Sequence, residues 1–317
     1  MYEEAAKISL FGLDIYAYGL YVALGACAAC ALLALLTRQE KLPKGTAALA
    51  GALMLPCGFI LSRLLYCVID ARVRDALSLR ALLLVGGGGY SMFGALLGAA
   101  LGAALAARIM KVKSLKLLDL LAPALMLFVA FERLGESVLE LPFGVSRPLT
   151  DETIQSSILA VQGDYESYLR TYLLESFAAF VLAVALLVCR RNYKRPGSAL
   201  LLALMLFGAT QTIFESLRFD AHMRVSFIGA QQVFAMAALL GAAGYLAAKS
   251  PRNALSVAAW IALPLSLAAG VGLEFLIDRS GISKLLLYAL FVFDVALPVW
   301  LGIRLLDRRD SLGEIAG

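Results

Sequence analysis

Apolar and polar residues come in long blocks along this chain rather than in alternation. Apolar stretches fall near 16–37, 46–68, 90–109, 118–138, 172–190, 198–217, 228–248, 254–276 and 284–304, and polar turns separate them. A bilayer core takes about 20 apolar residues per helix, so the pattern predicts nine membrane-spanning helices. The fold class expected is all-α, a polytopic integral membrane helical bundle. The longest polar interval, about 139–171, holds Pro142, Pro148, Asp151, Glu152, Asp164 and Glu166. It is too polar to insert and is expected to form an extramembrane cap or a substrate-facing element.

Composition strengthens that reading. The chain is 61% hydrophobic over 317 residues, whereas a soluble domain sits near 45–50% apolar. Its mean hydropathy is +0.83. Lysine and arginine then set a direction. With the start of the chain outside, the inner loops hold sixteen of these residues and the outer segments ten. Only Arg63 and Arg133 fall within spans. An N-out, C-in topology follows as the expectation. No basic-then-apolar leader with a small-residue cleavage site opens the sequence, so the first helix is expected to stay. Cys27, Cys30, Cys57, Cys67 and Cys189 all lie in or beside apolar runs, which suits packing thiols; the CxxC of Cys27 and Cys30 has no further ligand nearby. No metal, cofactor or nucleic-acid partner is expected. No internal repeat is evident, and Gly94, Gly98 and Gly102 form a small-residue series suited to close helix packing.

The richest stretch runs from Val85 to Glu140. It begins GGGGYSMFGALLG and later carries Glu132, Arg133, Glu136 and Glu140 in an otherwise apolar run. A charge at the bilayer centre costs roughly 2.5–3.5 kcal/mol even on the mildest scale. Arg133 therefore either presents its planar fork to a lipid phosphate or ties helices together as a structural Arg–Glu pair. Gln211, Glu215 and Arg218 share one helical stripe by their spacing, as a functional cluster or an amphipathic helix end would. Tyr18 and Gly19 suit an interface anchor. Arg63 can snorkel outward or pair inward. Glu175 suits a solvated or a buried position. Glycines 86–89 could seat a headgroup against backbone N–H groups or act as a hinge. His222, the single histidine, sits in an expected outer loop with no catalytic arrangement around it.

Several stretches come in one order: ISLFGLDIYAYGLYVALG, LSRLLYCVI, GGYSMFGALLG, DLLAPALMLFVAFERLGE, LLESF, RPGSALLLALMLFGATQTIFESLRFD and then Gln232. As an ordered set over about residues 8–248 they resemble the bacterial prolipoprotein diacylglyceryl transferases. The resemblance implies a seven-helix membrane domain over 1–250, with 251–317 as two additional C-terminal helices. It also implies a bacterial inner-membrane enzyme that moves diacylglycerol from phosphatidylglycerol to the lipobox cysteine of a prolipoprotein. Carried over by position, Arg133, Glu215 and Arg218 become the catalytic set. Tyr18, Arg63, Gly88, Gly89, Ser91, Gly94, Gly135 and Glu175 become the lipid-binding set. The departures are concentrated: Phe93 stands at the family's histidine, Ala95 at a glycine, Glu136 at an asparagine and Gln211 at an arginine. Fewer cations and more carboxylates then face an anionic lipid. The reading from a different class is accordingly a non-catalytic paralogue that binds a lipid or lipoprotein partner. A transporter ranks third; Glu274 and Asp294 in the last two spans are expected near helix ends, facing water.

Overall fold

The computed structural model describes residues 7–10, 13–70, 89–141, 143–149, 152–193, 195–219, 223–225 and 228–315. Strands β1 (Lys7–Leu10) and β2 (Leu13–Tyr16) pair antiparallel, ahead of α1 (Ala17–Gln39), α2 (Thr46–Ile69), α3 (Met92–Ile109) and α4 (Ser114–Gly135). A 3-10 turn (Glu136–Val138), a helical turn (Glu152–Gln155) and the hairpin of β3 (Ala160–Gln162) and β4 (Ser167–Leu169) follow. Next come α5 (Thr171–Cys189), α6 (Ser198–Leu217) and the short pair β5 (Arg224–Val225) and β6 (Ile228–Gly229). The chain ends in α7 (Ala230–Lys249), α8 (Ala254–Arg279) and α9 (Lys284–Ile315). Nine helices among the described residues are long and apolar enough to cross a membrane. They coincide with the nine apolar blocks, and the polytopic helical bundle stands.

The chain divides into two compact units, one of residues 1–184 with 217–223 and one of 185–216 with 224–317. In the first unit α2 and α3 lie closest together, because the small-residue series removes side chains where backbones meet. A Cβ on Gly94 would stand 2.6 Å from the Leu61 carbonyl oxygen, and one on Gly102 2.7 Å from the Leu53 carbonyl carbon. Serines join the ends of the same two helices. Ser62 Oγ donates to the Ser91 carbonyl at 2.7 Å, Ser91 N donates back to the Ser62 carbonyl, and Ser91 Oγ caps α3 by accepting from Gly94 N. The α1–α4 pair closes in the same way at Gly25, whose Cβ would meet Phe131 Cβ at 2.8 Å.

The polar interval after α4 folds back on itself. Ser146 N donates to the Leu169 carbonyl, Leu149 N to the Ser167 carbonyl and Phe219 N to the Val145 carbonyl. Residues 144–149 thus form a strap joined to β4 on one side and to the backbone beyond α6 on the other, with Ser146 bridged to Arg218.

In the second unit Gly208 lets α6 approach α7, where a Cβ would reach the Ala235 carbonyl oxygen at 2.6 Å. Asn253 starts α8 with a reciprocal capping box to Ser256. Glu274 does not face water as expected. It is buried and accepts from Gln232 Nε2 at 2.9 Å, which repays part of the cost of holding a carboxyl group inside a span. Asp294 lies in the body of α9, not at its end, with Oδ2 buried and Ser266 donating to its backbone carbonyl.

Candidate active site

Four charged side chains meet at one end of the first unit. Arg133, near the end of α4, donates from Nη1 to Glu136 Oε1 at 2.6 Å, and its Nε lies 2.7 Å from Glu175 Oε2. Arg218, just past α6, donates from Nη1 to Glu136 Oε2 at 2.8 Å and to Glu175 Oε1 at 3.0 Å, and from Nη2 to Glu136 Oε1 at 3.2 Å. Glu175 is fully buried, and the other three are nearly so. Two guanidinium groups and two carboxylates balance in charge, and every carboxylate oxygen faces a cation. That arrangement satisfies ions which would each cost several kcal/mol alone in this setting. Phe143 covers Arg218, with the guanidinium carbon 5.8 Å from its ring centroid. Gly144 gives the cluster room. Its φ is +69°, and a Cβ there would lie 2.5 Å from Glu136 Oε2. Its carbonyl accepts from Thr171 Oγ1 at 2.6 Å, seating the start of α5 so that Glu175, one turn on, reaches both arginines.

Beside the cluster, α1, α2, α3 and α4 enclose a cavity of about 600 Å³. Its wall is mostly apolar: Val22, Ala26, Met54, Leu96, Ala99 and Leu125 line it in depth. From Tyr18 to Cys30 along α1 the lining spans about 18 Å at 1.5 Å per residue, close to the thickness of one leaflet. Leu55 and Phe59 line it too and are exposed on the helix surface, so the cavity opens sideways toward the bilayer. Its polar end carries Glu132, Ser62, Tyr90 and Tyr18, whose hydroxyl donates to Glu132 Oε1 at 2.9 Å. Met92 also belongs to this wall, and Arg133 Nη2 donates to its sulfur at 3.3 Å. Thioether sulfur is a weak acceptor, so a cation sits directly behind the polar end on a partner that an anionic oxygen outcompetes.

An apolar, laterally open cavity with a buried guanidinium at its polar end is the shape of a site for a phospholipid. The family model for prolipoprotein diacylglyceryl transferase matches residues 5–249. The chain belongs to the prolipoprotein diacylglyceryl transferase family. Two curated relatives carry the name phosphatidylglycerol–prolipoprotein diacylglyceryl transferase. The one from Clostridium tetani is 26% identical over 235 residues, covering 72% of this chain and 90% of the relative. The one from Finegoldia magna is 24% identical over 231 residues, covering 73% and 88%.

Set in this diacylglyceryl transferase frame, the expected site residues separate by what they touch. Arg133, Arg218 and Glu175 come together in the charged cluster, and Tyr18 stands at the polar end of the cavity. Gly135 brings α1 in beside them: a Cβ there would meet Tyr21 Cβ at 2.8 Å and Tyr18 Cδ2 at 3.2 Å. Arg63 turns inward, donating to the Gly89 carbonyl at 2.8 Å and lying 5.7 Å from the ring centroids of both Tyr66 and Tyr90. Tyr90, one of those rings, lines the cavity. Gly89 has φ +81°, and its missing side chain leaves room for the Tyr66 ring. Ser91 and Gly94 act in the α2–α3 junction. Glu215 is buried on α6. Gly88 and His222 lie outside the described residues.

Three contributors fell outside the expected site set. Glu136 is the hub of the cluster, Glu132 supplies the only carboxylate among the described residues on the cavity wall, and Met92 joins the two features. The signal for both glutamates was present, since a span ending in Glu-Arg-x-x-Glu must pair its charges. Nothing marked Met92, whose role depends on which wall it faces.

Proposed function

We propose that this chain is a phosphatidylglycerol–prolipoprotein diacylglyceryl transferase of a bacterial plasma membrane, working at the outer leaflet. The donor's acyl chains occupy the lateral cavity and its phosphate lies at the polar end. There Arg133 Nη2 exchanges the Met92 sulfur for a phosphate oxygen. The acceptor cysteine of a lipobox peptide attacks the glycerol carbon, and glycerol phosphate leaves. Arg133 stabilises the charge that develops on the leaving oxygen, while Glu136, Glu175 and Arg218 fix its guanidinium plane. The observation that carries this reading is the Arg133–Met92 contact, which puts a buried cation against the wall of a lipid-sized cavity. The seven-helix domain over 1–250 houses the whole reaction, and the two helices beyond it are an addition. The polar strap and hairpin sit on the outer face, where an exported prolipoprotein arrives, and the basic turns face the cytoplasm.

The test is reconstitution of the purified chain into vesicles with a synthetic lipobox peptide, read by mass spectrometry. A diacylglyceryl thioether is expected with phosphatidylglycerol and not with phosphatidylethanolamine. Absence of the adduct from a well-folded preparation would overturn the reading. A second reading rests on a specific feature: the cluster is already charge-balanced by its own carboxylates, as a non-catalytic lipid- or lipoprotein-binding paralogue would tolerate. It predicts saturable binding of phosphatidylglycerol or the peptide with no adduct.

A further inference from the structure

Moving a lipid group onto a cysteine sulfur requires the thiol to lose its proton, since the thiolate is the nucleophile. This part rests on the transferase reading above. The ionisable groups that line the cavity are Tyr16, Tyr18, Cys30, Tyr90 and Glu132. A phenol or a thiol is protonated at neutral pH, which leaves Glu132 as the one base among the described residues of this wall. The other two carboxylates of the region are committed. Glu136 accepts on both oxygens from Arg133 and Arg218, and Glu175 faces Arg133 with one oxygen and Arg218 with the other. Neither lines the cavity.

Glu132 is held differently. Tyr18 donates to Oε1 and fixes the carboxylate plane, while Oε2 is buried without a hydrogen bond, 3.6 Å from Arg133 Nε. The charged and titratable groups facing it are Arg133 on its own helix, Glu136 one turn on, Tyr18 from α1 and Arg218 from beyond α6. The carboxylate thus lines the cavity with one oxygen that accepts no hydrogen bond and faces Arg133 Nε only at ion-pair distance, beside the position proposed for the phosphate.

We infer that Glu132 is a catalytic residue of this enzyme, the general base that takes the proton from the acceptor cysteine, with Tyr18 as its positioning residue. The balance is simple. Glu132 removes the S–H proton as sulfur bonds to the terminal glycerol carbon of the donor. The bond from that carbon to the phosphate oxygen breaks and its electron pair leaves with the phosphate. The proton then passes from Glu132 to the departing phosphate monoester, returning the carboxylate to its starting form. No oxidant or further reactant is needed. Phe93 is buried on α3 and has no atom that can move a proton.

The experiment compares wild type, Glu132→Gln and Glu132→Asp in phosphatidylglycerol vesicles, each checked for folding by thermal melting. Rates are followed from pH 6 to 9 with a cysteine peptide and with its selenocysteine twin, whose selenol ionises without help. Removing a general base costs about 100-fold or more in kcat at neutral pH. Glu132→Gln should lose that much with the cysteine peptide, with KM for lipid within about threefold, since lipid binding uses the cavity and Arg133. Its rate should climb about tenfold per pH unit toward the thiol's own pKa near 8.5. The selenocysteine peptide should bring it to within about tenfold of wild type. Glu132→Asp should keep an intermediate rate and the flatter wild-type profile.

Equal rates for Glu132→Gln and wild type would overturn the assignment. So would a loss that is the same with both peptides and independent of pH, because that is the signature of a structural role. If wild type itself transfers to neither peptide, the transferase reading has failed first, and the base assignment falls with it.

Discussion

Glu175 shows how much one buried carboxylate can carry. It is fully buried and bridges Arg133 to Arg218, so Glu175→Ala takes a carboxylate from both guanidinium groups at once. Breaking a buried ion pair by removing one member costs about 3–5 kcal/mol. The expected outcome is a lower melting temperature in detergent and loss of transfer together. A melting temperature unchanged within error would mean the cluster does not hold the fold. Tyr18→Phe is milder. It removes one hydrogen bond to a charged group, worth about 1.5–3 kcal/mol, and frees the Glu132 carboxylate to rotate. It should keep the lipid KM and lower kcat. A raised KM with kcat intact would instead mark Tyr18 as a lipid contact. At this scale the sequence was half legible. Arg133 was conspicuous because a lone guanidinium in a span demands an explanation. The distant half of the cluster was not, since Arg218 meets Glu175 and Glu136 across separations of 43 and 82 residues.

Among the elements, the α2–α3 contact makes the sharpest demand on sequence. Gly102→Leu would push a side chain into the Leu53 backbone, which cannot give way as a flexible side chain would. Overpacking of this kind costs about 1–3 kcal/mol, and more where only backbone is met. The folded, monodisperse fraction after extraction should fall, whereas Gly241→Ala, whose Cβ would have nothing within 4 Å, should leave it unchanged. Equal behaviour of the two variants would show that the close approach is dispensable. Gly144→Ala should act through the cluster instead, because that position combines φ +69° with the Glu136 carboxylate. Helix positions were legible, since apolar runs of bilayer length have few alternatives. Their ends were less so. Here α9 continues to Ile315, past the apolar block that stops near 304, because Arg304, Asp307, Arg308 and Arg309 extend a helix into water as readily as they end a span. The strap over 144–149 was invisible beforehand: the bonds that pair it with its neighbours are largely backbone to backbone and leave little side-chain pattern.

For the whole molecule, the proposed orientation puts the start of the chain outside and the basic turns inside. With the native cysteines replaced, Tyr165→Cys, at 98% exposed, should react with an impermeant maleimide added to intact spheroplasts. Lys111→Cys should react only after lysis. The reverse pattern would invert the topology and put the cavity's polar end on the cytoplasmic side. The most direct measurement is rescue of a bacterium depleted of its own diacylglyceryl transferase, with wild type and Arg133→Ala expressed side by side at equal membrane levels. Growth with wild type and failure with the alanine variant is the predicted result. No growth with a well-inserted wild-type protein would contradict the transferase assignment.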